Sequence, residues 1–175
     1  LANHALAERN ALLAAVVEGS SASVVIAEAS GRAPSRPASA SRGDFPLVYV
    51  NRAFETLTGW SRAEALGRDC RFLSDEPPDS PERARLRQAM QDNATGRFVL
   101  RNRARDGRAF WNELSLHPIL DADGRIDKIV ATQVDVTERM KAERDRDRAR
   151  SRLINALASL GQGFLLLDDR GRVVF

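Results

Sequence analysis

From residue 97 to residue 135 the chain reads as three strand-like runs, 97–104, 108–120 and 125–135, separated by R-D-G at 105–107 and D-A-D-G at 121–124. Both separators are good hairpin turns, because Asp-Gly supplies the backbone freedom that a tight reversal between twisted strands needs. The three runs therefore form an antiparallel meander. Pro118 falls late in the second run and, lacking an N–H, predicts a strand end or a bulge there.

Upstream of the meander the signals are those of short strands and short, well-capped helices. Residues 23–28 (SVVIAE) and 45–50 (FPLVYV) are β-branched and strand-like. Between them, 30–44 (SGRAPSRPASASRGD) has no apolar period and reads as a mobile loop. Asn51 is placed to cap a short helix closed by Gly59, Ser61 and Glu64 have the S-x-x-E capping-box spacing, and Ser80 caps a helix with Pro81 in its first turn, running to about residue 93. At the N-terminus, residues 3–18 carry apolar side chains at helical spacing before Gly19 stops them. Strand, strand, a cluster of short helices and a three-strand meander is the order of an α+β domain with one antiparallel sheet covered on one face by helices.

Composition narrows the rest. The chain has 175 residues, 43% of them hydrophobic and 29% charged, which suits a globular protein and argues against wholesale disorder. Apolar runs are too short to span a bilayer, so no membrane partner is expected. A single cysteine, Cys70, excludes an internal disulfide and a Cys-rich zinc site, and makes a reducing, cytoplasmic setting the default. No metal site is expected. The net charge of +3 is small, so any basic patch is local. The arginine-rich stretch 139–152 is interleaved with acids, which disfavours a nucleic-acid partner. Residues 137–152 read instead as a charge-dense helix with opposite charges three apart at Glu138–Lys141, Glu143–Arg146 and Asp145–Arg148. Further on, 153–172 resembles 13–32 at an offset of 140, which predicts the start of a second, related module. The chain begins without Met and stops within an apolar run, as expected of a piece of a longer protein.

The chemistry begins with three carboxamides. Asn102 follows Phe98 and Leu100 by steps of two, Asn112 precedes Leu114 and Leu116 by steps of two, and Gln133 follows Ile129 and Ala131 in the same way. Residues two apart on a strand share a face, so three amides project from an otherwise apolar inner wall. A buried amide left unpaired costs about 1–3 kcal/mol. The amides bond to one another or to loops, or they face a polar, planar ligand; three in phase favour the ligand, since an amide both donates and accepts and suits a heteroaromatic edge.

Gly67–Ser74, GRDCRFLS, resembles the G-x-N-C-R-F-L-Q signature of the light-oxygen-voltage (LOV) photosensors, the flavin-binding branch of the PAS domains. Asn51–Trp60 (NRAFETLTGW) is similar to theirs as well, and so is the spacing of Cys70, Asn102, Asn112 and Gln133. The resemblance spans about residues 20–137. It implies a PAS/LOV fold: a five-stranded antiparallel sheet with short helices on one face and flanking N- and C-terminal helices, divided as 1–19 (flanking helix), 20–137 (sensor core), 138–160 (signalling helix) and 161–175 (start of a second PAS-like module). It implies flavin mononucleotide (FMN) as cofactor, with Cys70 as the photoactive thiol that bonds reversibly to the flavin under blue light. Asn102 and Asn112 would bond the pyrimidine edge, Gln133 would face ring nitrogen 5, and Arg71 and Arg87 would hold the phosphate, with Arg83 and Arg85 as alternatives. It further implies no enzyme activity in this chain, a homodimer through the flanking helices, and a downstream PAS or histidine-kinase output in the same protein.

Two positions depart from the signature. Asp69 stands where Asn is usual, bringing a carboxylate near the cofactor that needs solvation, protonation or a partner such as a nearby arginine. Ser74 stands where Gln is usual and is too short for the same contact. The competing readings are a PAS module used for dimerisation or another ligand, with Cys70 silent, and a flavin redox enzyme, for which no nicotinamide-binding fingerprint is present. A Cys–His hydrolase lacks its third group; His4 lies in the first helix and His117 has the opposite strand parity from Asn112.

Overall fold

A computed structural model describes residues 2–28, 45–159 and 170–173, with side chains from residue 8 onward. The chain divides into two compact units, Leu1–Val136 and Thr137–Phe175. The first contains helix α1 (Ala2–Glu18), strands β1 (Ser23–Glu28) and β2 (Leu47–Val50), helices α2 (Arg52–Thr58) and α3 (Arg62–Ala65), a 3₁₀ turn (Cys70–Leu73), helix α4 (Pro81–Gln91), and strands β3 (Gly96–Arg103), β4 (Ala109–Leu120) and β5 (Ile126–Asp135). The five strands form one sheet in the order β2-β1-β5-β4-β3, every neighbouring pair antiparallel.

Local chemistry accounts for most boundaries. Asn51 is fully buried and uses its amide completely: Oδ1 accepts from Val24 N (2.9 Å) and Phe54 N (3.1 Å), and Nδ2 donates to Val17 O (2.9 Å) and Ala22 O (3.0 Å). One side chain thus caps α2 and ties the end of α1 to β1. Gly59, at φ +72°, ends α2 in the left-handed conformation. The Ser61–Glu64 capping box forms in both directions, and Ser80 caps α4 ahead of Pro81. Glu18 then fastens α1 to the domain by accepting from the Tyr49 hydroxyl (2.9 Å) and pairing with Arg62.

Three boundaries differ from the sequence pattern. Phe45 and Pro46 stay outside β2; Pro46 makes only an isolated bridge to Asp69, because it has no N–H to give a ladder. Helix α4 stops at Gln91, and Asn93 turns the chain with φ +53°. Pro118 lies inside β4 rather than at its end, opposite Ile129; β3 stops opposite Leu116, so at Pro118 the strand pairs with β5 alone, and the irregularity comes one residue later, between Ile119 and Leu120.

The core lies between the inner face of the sheet and the short helices. Val25, Leu47, Val50, Phe54, Leu73 and Phe98 are among its buried members. Burying Phe54 alone contributes about 1.5–3 kcal/mol. Gly96 is required by close approach: a Cβ there would sit 2.6 Å from the Phe98 ring.

The second unit contains α5 (Thr137–Ser159), a 23-residue helix with no buried residue. Lys141–Glu138 (2.8 Å) and Arg148–Asp145 (3.9 Å) pair as expected, whereas Glu143 and Arg146 do not, their long side chains remaining in solvent. The expected loop at 30–44 and most of the expected second module, including 161–169, lie outside the described residues.

Candidate functional site

The inner face of the sheet and the segment from Asp69 to Gln91 enclose a cavity of about 580 Å³. The strand register assembles its polar wall. Leu100 of β3 pairs with Asn112 of β4, and Leu114 of β4 pairs with Gln133 of β5, so Asn102 and Gln133 each lie diagonally from Asn112 on the same face. All three amides line the cavity and are buried. Between them the wall is aliphatic, with Val25, Leu114, Leu116 and Ile129.

The amides are unequally satisfied. Gln133 Oε1 accepts a hydrogen bond from the Ser23 hydroxyl at 3.2 Å, across the β1–β5 pair. Asn112 Oδ1 has no partner although Asn112 is only 1% exposed. An orphaned carbonyl oxygen costs about 1–3 kcal/mol. The wall of the cavity thus carries an unmet acceptor among its amides.

Opposite the sheet, Asp69 caps the 3₁₀ turn that begins with Cys70. The cap sets the direction of the turn, and Cys70 lines the cavity. Burial, and secondarily the negative charge of Asp69, push the Cys70 thiol up to about 12 from an ordinary value of 9.0. The sulfur therefore stays a thiol well above neutral pH. It is not a thiolate nucleophile. His117 is exposed on the other face of β4, so no Cys–His pair forms there.

The carboxylate of Asp69 is partnered by the arginine two residues on. Its Oδ1 accepts from Arg71 N (2.9 Å) and Arg71 Nε (2.8 Å), and its Oδ2 accepts from Arg71 Nη2 (3.2 Å) and from Phe45 N (2.8 Å). Arg83 and Arg87 line the same cavity from α4; each donates to one backbone carbonyl, of Glu76 and Pro78 respectively (both 3.2 Å). Arg85 pairs with Glu82 at 2.9 Å and does not line the cavity. Ser74 lines it near Asn102, to which it is bridged through the backbone. Among the described residues no group of His, Cys, Asp and Glu could hold a metal ion, and no helix is long and apolar enough to cross a membrane.

All seven residues singled out from the sequence, Asp69, Cys70, Arg71, Arg87, Asn102, Asn112 and Gln133, line this one cavity. Sequence reasoning did not find Ser23. Its hydroxyl reaches Gln133 only because β1, 110 residues earlier in the chain, lies beside β5; an isolated serine at the start of a strand carries no such signal.

The sheet order, the short helices and a ligand-sized cavity on one face define an α+β domain built around a binding site. The PAS domain model matches residues 40–138, more than half of the chain. The chain is 39% identical over 104 residues to "Blue-light-activated histidine kinase 2" of Erythrobacter litoralis, a match covering 59% of this chain and 30% of that protein. Among solved structures, it superposes on an RNA-binding light-oxygen-voltage receptor with a TM-score of 0.69 at 37% identity, covering 81% of this chain and 37% of that one. It superposes on the LOV domain of a blue-light activated histidine kinase from Erythrobacter litoralis with a TM-score of 0.55 at 37% identity, covering 66% of this chain and 96% of that one. The chain belongs to the PAS domain family and, within it, to the LOV domains. It spans less than a third of the length of the full-length histidine kinase it matches.

Proposed function

We propose that this chain is a blue-light sensor module that holds a flavin, FMN, in the cavity beside Cys70. The observation that carries the reading is that three buried amides, one with an unmet acceptor, line the same cavity as the chain's single cysteine. Asn102 and Asn112 are suited to the alternating donors and acceptors of the flavin's pyrimidine edge, and Gln133 to its central ring. Arg83 and Arg87 line the cavity together with the Asp69–Arg71 pair, and their guanidinium forks are suited to the phosphate. A bound flavin would supply blue-light absorption and a ring carbon able to take the Cys70 sulfur reversibly, the thiol proton passing to the adjacent ring nitrogen.

The protein's own part is positional. Desolvation of the half-buried Cys70 keeps the proton on its sulfur. The Ser23 hydroxyl holds Gln133 with its oxygen engaged and its nitrogen left to donate. When the hydrogen-bonding demand opposite Gln133 reverses, the amide rotates and exchanges donor for acceptor. One such exchange is worth about 1 kcal/mol, roughly fivefold in a population. Gln133 precedes the last residue of β5 by two and the first residue of α5 by four, so strain in its strand is passed directly to the start of the helix.

On this reading residues 1–19 flank a sensor core at 20–137, 138–160 carries the signal, and 161–175 begins a second PAS-like module. The chain itself is a cytoplasmic sensor with no turnover reaction. It works as a homodimer through its flanking helices and is followed by an output region such as a histidine kinase. The test is an absorption spectrum of the purified chain before and after a blue flash. The expected result is a yellow protein whose blue band bleaches and recovers in the dark, and a Cys70→Ala variant that stays yellow without bleaching. A colourless protein, or a band that bleaches equally in Cys70→Ala, overturns the reading.

A further inference from the structure

We infer that Asp69 withdraws Arg71 from phosphate recognition, so that discrimination between a phosphorylated and a non-phosphorylated flavin falls to Arg83 and Arg87. The inference rests on the flavin reading above and assigns a specificity-determining role within it.

The carboxylate of Asp69 grips the Arg71 guanidinium through two of its nitrogens, Nε to Oδ1 at 2.8 Å and Nη2 to Oδ2 at 3.2 Å. It is a fork-on-fork pair of the kind a phosphate would otherwise make. The carboxylate is not free to swing aside. Its Oδ2 also accepts from Phe45 N (2.8 Å), its Oδ1 accepts from Arg71 N (2.9 Å) as the cap of the turn, and the backbone at Asp69 bridges to Pro46. Leu47 N donates to Arg68 O (2.9 Å) and Gly67 N donates to Leu47 O (2.8 Å), so the segment on which Asp69 sits is fastened from both sides. A phosphate brought to Arg71 would meet a fixed negative charge sharing the same guanidinium, and the attraction of one would be offset by the repulsion of the other.

The two α4 arginines differ in this respect. Arg83 and Arg87 are one helical turn apart, on one face of α4, and both line the cavity. Each donates to a single neutral carbonyl, Glu76 O or Pro78 O, and neither forms an ion pair among the described residues. Neither guanidinium is therefore held by a carboxylate, whereas Arg71's is. Arg85, between them in sequence, turns to Glu82 and takes no part.

FMN and riboflavin share every atom except the phosphate, so the ratio of their dissociation constants isolates phosphate recognition from general damage to the fold or to the ring pocket. The experiment strips flavin from the full chain and titrates it with FMN and with riboflavin, following quenching of flavin fluorescence. It is repeated for Arg83→Gln, Arg87→Gln, Arg71→Gln, Asp69→Asn and the Asp69→Asn/Arg71→Gln pair. In the otherwise unaltered chain, Arg83→Gln and Arg87→Gln are each expected to lower the FMN preference about five- to tenfold, the worth of a charge-assisted contact. Arg71→Gln is expected to move it less than about twofold, since that charge is already cancelled. Asp69→Asn keeps one oxygen, enough for the cap to Arg71 N but not also for Phe45 N; it is expected to raise the preference about fivefold by releasing Arg71, and the gain disappears when Arg71→Gln is added.

Loss of preference in Arg71→Gln equal to that in Arg87→Gln, or an unchanged ratio in Asp69→Asn, overturns the inference while leaving the flavin reading standing. Failure of the unaltered chain to quench either flavin overturns both.

Discussion

The two sides of the cavity, the sheet and the turn with α4, are built on different physics. The sheet wall presents Asn102, Asn112 and Gln133 on adjacent strands in fixed register, each buried and each with its direction set by the alternation of the backbone. The arginine rim presents long, charged side chains from a turn and from α4, and each of these chooses among several partners: a carboxylate for Arg71 and Arg85, backbone carbonyls for Arg83 and Arg87. Position in sequence decides what a wall residue faces. At the rim it decides only what lies within reach, and local charge decides the rest.

This contrast makes graded predictions, and the largest concerns the interior. With its thiol raised from 9.0 to about 12, folded Cys70 is expected to react with an alkylating reagent at pH 8 at least about a hundredfold more slowly than the same residue in denaturant. Because the native state keeps the proton that the unfolded state gives up, stability is expected to be unaffected by this group below its unfolded value. It then declines as pH rises from about 9 towards about 12. Mass-spectrometric labelling rates, together with denaturation midpoints across that range, measure both. Rapid labelling of the folded chain would mean that the interior is no drier than the rim.

Asn112→Leu comes next. Removing an orphaned buried oxygen is expected to leave the flavin-free protein as stable as before or slightly more so, while weakening flavin binding roughly tenfold or more. Thermal denaturation and flavin titration separate the two effects. A variant that loses stability and binds flavin normally would show that the amide serves the fold.

Ser23→Ala should cost about 1 kcal/mol of stability by freeing Gln133 Oε1, read from denaturant midpoints. The smallest effect belongs to the rim. Arg87→Gln, on an exposed position with one carbonyl partner, should change stability by less than about 0.5 kcal/mol. A larger loss would mean that the rim supports the fold as strongly as the wall does.

Much of the molecule was legible because its instructions are local. Asp-Gly turns, the Asn51 and Ser80 caps and the Ser61–Glu64 box each act within a few residues, and each appears in the structure where the sequence places it. The candidate site was legible for a related reason: period-two alternation sets the parity of the three amides whatever their neighbours are. Pro118 shows the limit of such reasoning. Its missing N–H predicts an interruption, and the strand continues through it because β3 does not extend that far, a fact about the neighbour rather than about the proline.

What the sequence by itself determined is the order of elements, the inward parity of Asn102, Asn112 and Gln133, and the presence of one thiol beside a capped turn. All of these follow from interactions between residues close along the chain. What only the tertiary structure decided is which groups those residues meet: Ser23 on Gln133, nothing on Asn112 Oδ1, and Asp69 on Arg71 with Phe45 N behind it. Hydrogen bonds and ion pairs depend on distances of about 3 Å in space, and such distances between remote segments exist only once strands far apart in sequence have come to lie side by side.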